Sequence, residues 1–209
     1  MTAPANEIKK AVSALKKNDQ KLREVMEKVG PCRLTVQHMQ SPFDSLAKAI
    51  VYQQLSGKAA ASIMGKVRNI YGHPESPLEP EEILGTADDT LRSAGLSRAK
   101  LAGLKDLALK AQEGVVPSLA ELEEMTDEEI IERLISVRGI GKWTVEMMLI
   151  FRLGRLDVMP STDYGIRKGF ALTYRKRELP PPKQIEKYAE RWRPYRTIAS
   201  WYLWRALEL

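Results

Sequence analysis

One cysteine and two histidines are all that the 209 residues contain of the two residue types that build most structural zinc sites. With Cys32 alone, no disulfide can close within the chain and no four-cysteine iron–sulfur cluster can be held, so neither is expected, and a reducing compartment fits. His38 and His73 have no further ligands at useful spacing, so no zinc site is expected. Long apolar runs are lacking too. No stretch approaches the ~20 residues that a membrane-spanning helix needs, so no membrane partner is expected. Residues 1–7 have no apolar core, and no secretion signal is expected. Acidic charge is in deficit: 33 Lys and Arg stand against 27 Asp and Glu, for a net charge of +6 and a pI near 9.3. That balance favours a polyanionic partner, though only mildly.

Helical signals fill the rest. Ile8, Val12, Leu15, Leu22, Val25 and Met26 recur at helical spacing as one run that Gly30-Pro31 stops. Ser41-Pro42 with Asp44 makes a helix start with Pro at the first position. Thr86 with Asp89, Ser118 with Glu121, and Thr126 with Glu129 read as N-caps paired with third-position acids. Ser97 opens a helix with Leu101, Leu104, Leu107 and Ala108 on its apolar face, and Gly114 ends it. Helices are expected at 183–192 and 197–207. Residues 33–38 alternate weakly and suit a short strand or an extended linker. The expected fold class is all-α, with two helical lobes.

Local chemistry concentrates between residues 137 and 165. Val137-Arg138-Gly139-Ile140-Gly141-Lys142-Trp143-Thr144 places two glycines around Ile140, which allows a tight turn with backbone close to a docked group. A helix begins after Gly141, so backbone N–H groups and a positive dipole end face outward. That suits a phosphate and reads no base. Asp163 follows Gly141 by 163 − 141 = 22 residues, in Pro160-Ser161-Thr162-Asp163-Tyr164-Gly165. That is enough for one helix and a returning loop. A phosphate clamp followed by a carboxylate at this distance points to chemistry on a DNA sugar.

Three further segments complete an ordered set. They are Phe43-Asp44-Ser45-Leu46 through Tyr52-Gln53-Gln54-Leu55-Ser56-Gly57-Lys58-Ala59-Ala60, then Leu91-Arg92-Ser93-Ala94-Gly95-Leu96-Ser97-Arg98-Ala99-Lys100, then Trp192-Arg193-Pro194-Tyr195-Arg196 with Trp201-Tyr202-Leu203-Trp204. Together these resemble the helix-hairpin-helix DNA glycosylase superfamily, and within it the alkylated-base branch, 3-methyladenine DNA glycosylase II. The likeness runs from about residue 43 to residue 204. It implies a central lobe at 42–157 that includes the hairpin motif at about 126–152. A second lobe of 1–41 plus 158–209 would carry Asp163 at a cleft. The single cysteine points away from the superfamily members that hold an iron–sulfur cluster.

The resemblance assigns roles residue by residue. Asp163 matches the catalytic aspartate, which would stabilise an oxocarbenium-like sugar and orient water; its plainer role is a helix N-cap. Trp143 stands where strand-cutting relatives have a Schiff-base lysine, so no lyase activity is expected. Lys142 beside it should face elsewhere. Trp143 and Trp204 would line the base pocket with Tyr52 and with Met147, which replaces a tyrosine of the larger relatives. An aromatic face suits a positively charged methylpurine; the plainer reading of each Trp is core packing. Gln54 would enter the duplex, backed by Leu55. Phosphate contacts are expected from Gly139, Gly141, Lys142, Thr144, Ser56 and Lys58. Arg167, Lys168, Arg175, Lys176 and Arg177 read as a solvated face. No cofactor is required; a structural Na⁺ or K⁺ on the carbonyls of Ile135, Val137 and Ile140 is implied by the resemblance alone.

The expected activity is therefore monofunctional excision of alkylated bases of the 3-methyladenine or 7-methylguanine type in base excision repair. Double-stranded DNA containing damaged bases is the partner, and the protein a monomer. The location would be cytoplasmic (nucleoid) if the source is bacterial and nuclear if it is eukaryotic. Two alternatives stay open. One is excision of deaminated bases such as hypoxanthine or uracil, with Tyr52, Gln53 or His38 as pocket donors. The other is a non-catalytic binder of DNA structure, against which Asp163 and the Trp pair argue, because a binder would gain nothing from them.

Overall fold

The computed structural model describes residues 5–209. Residues 1–4, part of the stretch that bears on a secretion signal, lie outside the described residues. Thirteen α-helices follow in order among them: α1 (Ala5–Asn18), α2 (Gln20–Val29), α3 (Pro42–Tyr52), α4 (Gly57–Asn69), α5 (Pro80–Gly85), α6 (Asp88–Ser93), α7 (Arg98–Gln112), α8 (Leu119–Glu124), α9 (Asp127–Leu134), α10 (Lys142–Phe151), α11 (Tyr164–Thr173), α12 (Pro182–Ala189) and α13 (Arg196–Arg205). Single 3₁₀ turns occupy Glu190–Trp192 and Ala206–Glu208. No strand occurs among the described residues, so the fold is all-α. Residues 33–38 are extended backbone, and Gln37 N donates to the Phe151 carbonyl at 2.9 Å.

The helices form two compact units. One is Met39–Val145; the other joins the chain up to His38 with Glu146–Leu209. The sequence places the division at 42 and 157; these units part at 39 and within α10.

In the Met39–Val145 unit, α7 lies against α3 and α5. Leu46, Ile50, Ile83, Leu104 and Leu107 are fully or almost fully buried there. Ser41 caps α3 with Pro42 in its first turn, as the sequence suggests. Asp44 does more than assist that cap. Both its oxygens accept from Arg68 Nη2 (2.7 and 2.8 Å), and Oδ1 also takes the Leu78 amide (3.0 Å), which ties α3 to the end of α4. Capping boxes form at Ser118/Glu121 and Thr126/Glu129. Thr86 corrects the sequence expectation. It ends α5 instead of opening α6, because its hydroxyl is held by the Glu82 carbonyl and by Tyr71 Oη.

In the other unit, the expected single N-terminal run is two helices. Asp19 breaks it. Its backbone is extended (φ −145°, ψ 103°), and its side chain caps α2 through the Leu22 amide. The same buried carboxylate accepts from Tyr174 Oη (2.7 Å) and Trp192 Nε1 (3.0 Å), so its desolvation is offset by three donors. Burial, then the neighbouring Asp19 charge, pushes the Tyr174 phenol far up. Helices α11 and α13 pack together, closely enough that a Cβ on Gly169 would fall 2.0 Å from the Leu203 carbonyl oxygen.

Candidate active site

Helix α9 ends at Leu134, and the hairpin follows from two backbone turns: Val137 N to Leu134 O (3.1 Å) and Ile140 N to Val137 O (3.0 Å). Ile140 is buried and pins the loop, while Arg138, Gly139, Gly141 and Lys142 are exposed. Gly139 has φ +85°, which L side chains rarely adopt. Gly141 is different. Its φ is unexceptional, and a Cβ there would meet nothing within 4 Å. Its side-chain position is open space at the mouth of α10. The Gly139 and Gly141 amides have no acceptor among the described residues. Thr144 is half-buried in the first turn of α10.

Helix α7 supports this loop. Asp106 Oδ2 accepts the Arg138 amide (2.7 Å) and Lys110 Nζ (2.9 Å), and Lys110 Nζ also reaches the Ser136 carbonyl. Burial works to raise the Asp106 pKa, but the Arg138 amide and the Lys110 ammonium outweigh it and hold the carboxyl below its usual range. Gly103 lets α7 approach; a Cβ there would lie 3.0 Å from the Arg138 carbonyl oxygen.

The turn between α3 and α4 carries the expected duplex-entering residues on its surface. Gln54 is exposed with φ +57°, and Leu55 is 39% exposed. Ser56 is the N-cap of α4, its Oγ accepting from the Ala59 amide at 3.3 Å, and Lys58 is exposed in the first turn. Tyr52, half-buried, ends α3, with Lys48 Nζ 5.3 Å from its ring centroid. Gln53 Nε2 donates to the Gly139 carbonyl at 2.8 Å and so joins this turn to the hairpin.

Asp163 is the N-cap of α11. Its Oδ1 accepts the Ile166 amide and Trp204 Nε1, each at 2.8 Å. The Trp204 ring also lies against Phe151, centroids 5.8 Å apart. Gly165 makes the Asp163–Trp204 contact possible, since a Cβ there would come within 2.9 Å of Trp204 Cδ1 and 3.0 Å of Asp163 Oδ1. The preceding loop is anchored from α13 and from Arg193 just before it. Thr197 Oγ1 takes the Val158 amide and donates to the Arg155 carbonyl, while Arg196 and Arg193 grip the Asp157 carboxylate.

Two sets of expected residues thus come together: Asp163 with Trp204, and the α3–α4 turn with the hairpin. Of the C-terminal aromatics, Tyr202 is core, its hydroxyl donating to the Gly30 carbonyl, and Trp204 is the one that meets Asp163. Trp143, in the first turn of α10, is 46% exposed, which excludes plain core packing. Met147 sits half-buried one turn on. Sequence reasoning assigned no role to Gly165, Lys100, Asp106 or Asp157. Lys100 and Gly165 nevertheless stand at the ends of two quoted segments, Leu91 to Lys100 and Pro160 to Gly165. Among the described residues no group of three or more His, Cys, Asp or Glu is placed to hold a metal, and no helix is long and apolar enough to cross a membrane.

A hairpin with open amides and a capped carboxylate at the next helix but one define a class. The chain belongs to the HhH-GPD superfamily of base excision DNA repair proteins, whose family model matches residues 47–194. DNA-3-methyladenine glycosylase 1 of Schizosaccharomyces pombe is 40% identical over 168 residues, covering 80% of this chain and 73% of the relative. The alkylbase DNA glycosidase-like protein mag2 of the same yeast is 34% identical over 204 residues, 98% of this chain and 96% of the relative. The solved structure of the S. pombe 3-methyladenine DNA glycosylase Mag1 with abasic DNA superposes with a TM-score of 0.80 at 37% identity, covering 96% of this chain and 97% of that one.

Proposed function

We propose that this protein is a monofunctional DNA glycosylase that extrudes an alkylated base from duplex DNA and hydrolyses its N-glycosidic bond, opening base excision repair. The observation that carries the reading is Asp163: a carboxylate whose orientation is fixed by a backbone amide and an indole N–H. Relatives over nearly the whole chain, named for 3-methyladenine or alkylbase excision, supply the substrate class.

The chemistry follows from the residues. Departure of the base leaves an oxocarbenium-like sugar. A held carboxylate stabilises that charge without reorganising, and directs water to C1′. A methylated purine cation is already a good leaving group, so no general acid is needed. The exposed indole of Trp143 offers an electron-rich face to such a cation. With Trp at 143 and Lys142 on another face of α10, no Schiff base forms and the product strand stays intact. Gly139 and Gly141 present amides to a phosphate, with Lys142, Thr144, Ser56 and Lys58 as further contacts. Gln54 and Leu55 fill the gap that the extruded base leaves.

The hairpin carbonyls also suit a monovalent cation. Those of Ile135 and Ile140 accept no hydrogen bond among the described residues, and that of Val137 accepts one, from Ile140 N. Ile135, Val137 and Ile140 would hold Na⁺ or K⁺ through neutral oxygens, and the ion would draw a phosphate by its charge.

The test is base release from duplexes carrying 7-methylguanine, 3-methyladenine, hypoxanthine, uracil or 8-oxoguanine. Methylpurines should be released fastest. Asp163→Asn keeps the volume and an acceptor oxygen for the cap, so abasic-DNA binding should persist while release falls by about 10²–10³ or more. Near-parental release by the Asn variant, or preferred release of a neutral base, would refute the reading.

A further inference from the structure

We propose that Lys100 is a positioning residue for base extrusion, and that one face of α7 sets the register between the duplex-entering turn and the hairpin. The inference rests on the proposed role of that turn. Lys100, Gly103, Asp106 and Lys110 are spaced by three, three and four residues, which puts them on one side of the helix. Each meets a DNA-facing loop. Lys100 Nζ donates to the carbonyls of Val51 (2.6 Å) and Gln53 (2.9 Å). These close α3, where carbonyls have no helical partner. Gly103 admits the Arg138 carbonyl, Asp106 holds the Arg138 amide, and Lys110 reaches the Ser136 carbonyl. Gln53 Nε2 then joins the two loops directly at the Gly139 carbonyl.

The turn needs such a support. Gln54 holds a left-handed backbone without being glycine. That conformation persists only where the surroundings over-determine it. The residues on either side supply this: Gln53 is fixed at both its carbonyl and its side chain, and Ser56 is fixed as a cap. Without the Lys100 ammonium, the Gln53 peptide loses its anchor and Gln54 is free to relax to right-handed backbone. Leu55 and Gln54 would then point away from the base stack, with the hairpin still intact. In this role Lys100 works through Gln53 and Gln54 and not through the reacting sugar.

The experiment compares Lys100→Met, Lys100→Arg and Gln53→Ala with the parent. A duplex with 2-aminopurine beside a tetrahydrofuran abasic analogue reports entry of the turn as a rise in fluorescence. Undamaged duplex binding and single-turnover release of 7-methylguanine are measured alongside. Lys100→Met should bind undamaged duplex within a factor of about two, since phosphate contacts carry that binding. It should lose most of the fluorescence rise and slow release by about tenfold to a hundredfold, the scale of charge-assisted hydrogen bonds lost. Lys100→Arg should restore most of both, because a guanidinium also serves two carbonyls. A folded Lys100→Met with parental fluorescence overturns the proposal, as does equal loss of undamaged binding, or a parent with no fluorescence rise. If Lys100→Met does not fold, Gln53→Ala decides: its bond is exposed, and a parental signal from it overturns the proposal. A parent that gives the fluorescence rise but releases no methylated base refutes the proposed activity instead, and leaves this inference to stand or fall on the variants' fluorescence.

Discussion

Gly165→Ala adds one methyl group beside the candidate catalytic carboxylate. Its Cβ would lie 2.9 Å from Trp204 Cδ1, 3.0 Å from Asp163 Oδ1 and 3.2 Å from Trp204 Nε1. At least one of these groups has to move. Asp163 is tied to the start of α11 through the Ile166 amide, so the easier relief is rotation of the indole, which breaks the Nε1–Oδ1 bond. Overpacking of this kind costs about 1–3 kcal/mol. Exchanging Gly for Ala in a helix returns up to about 1 kcal/mol. A net loss of about 0–3 kcal/mol lowers Tm by no more than about 12 °C in a chain of this size. The effect on chemistry should be larger, because a misplacement of order 1 Å at a reacting group can cost about 10²-fold. Gly169→Ala, one turn on, is the control. Its Cβ would fall 2.0 Å from the Leu203 carbonyl oxygen and 2.7 Å from the Leu203 carbonyl carbon, so α11 would have to leave α13. The two variants are compared by thermal denaturation and single-turnover base release. Gly165→Ala should stay folded and release base at least about tenfold more slowly, consistent with that positional sensitivity. Gly169→Ala should lose more Tm than Gly165→Ala. Parental release by Gly165→Ala would show that the indole and the carboxylate need not touch, and a Tm loss matching that of Gly169→Ala would reduce Gly165 to packing.

Further outcomes follow from the same geometry. Gly141→Val should leave Tm unchanged, because its Cβ meets open space, yet weaken binding to every duplex alike in anisotropy titrations; Gly139→Val should lower both, because φ is +85° there. Borohydride should trap no enzyme–DNA adduct; an adduct that disappears in Lys142→Ala would overturn the monofunctional reading. Trp143→Ala should stay folded, given its 46% exposure, and should lower the ratio of 7-methylguanine to hypoxanthine release by about severalfold to tenfold or more, the worth of a cation–π contact. A parental ratio would remove Trp143 from base selection.

What was legible in the sequence was mostly local. Caps at Ser41, Ser97, Ser118 and Thr126 depend on residues three positions away, and each is present. The errors arose where distant partners decide. Leu15 and Leu22 stand seven residues apart, about two helical turns, so the apolar spacing stays in phase across the polar residues between them. Asp19 breaks the helix there, and its partners Tyr174 and Trp192 lie 155 and 173 residues away. Thr86 carries the pattern of an N-cap, but Tyr71 and the Glu82 carbonyl claim its hydroxyl. The hairpin and Asp163 stood out as motifs. The groups that hold them, Lys100, Asp106 and Gly165, are not marked out by residue type, because their task is set by the shape of their neighbours.

The candidate groups share one feature: they sit at helix ends. Asp163 opens α11, Ser56 opens α4, Gly141 precedes α10, and Gln53 and Gln54 follow α3. Helix ends are where backbone amides and carbonyls lack internal partners, so a single residue there can bond to its own chain and face a ligand. For Asp163 this removes the conflict between a capping role and a catalytic one. The Ile166 cap and the Trp204 bond both fall on Oδ1, and together they fix the plane of the carboxylate. A freely rotating carboxylate would have to be ordered as charge developed on the sugar; one held in advance has that cost met during folding. Capping is therefore the means by which this aspartate would be made fit for the proposed catalysis. It is also why the Asn variant, which can keep the cap and loses only the charge, separates the two roles.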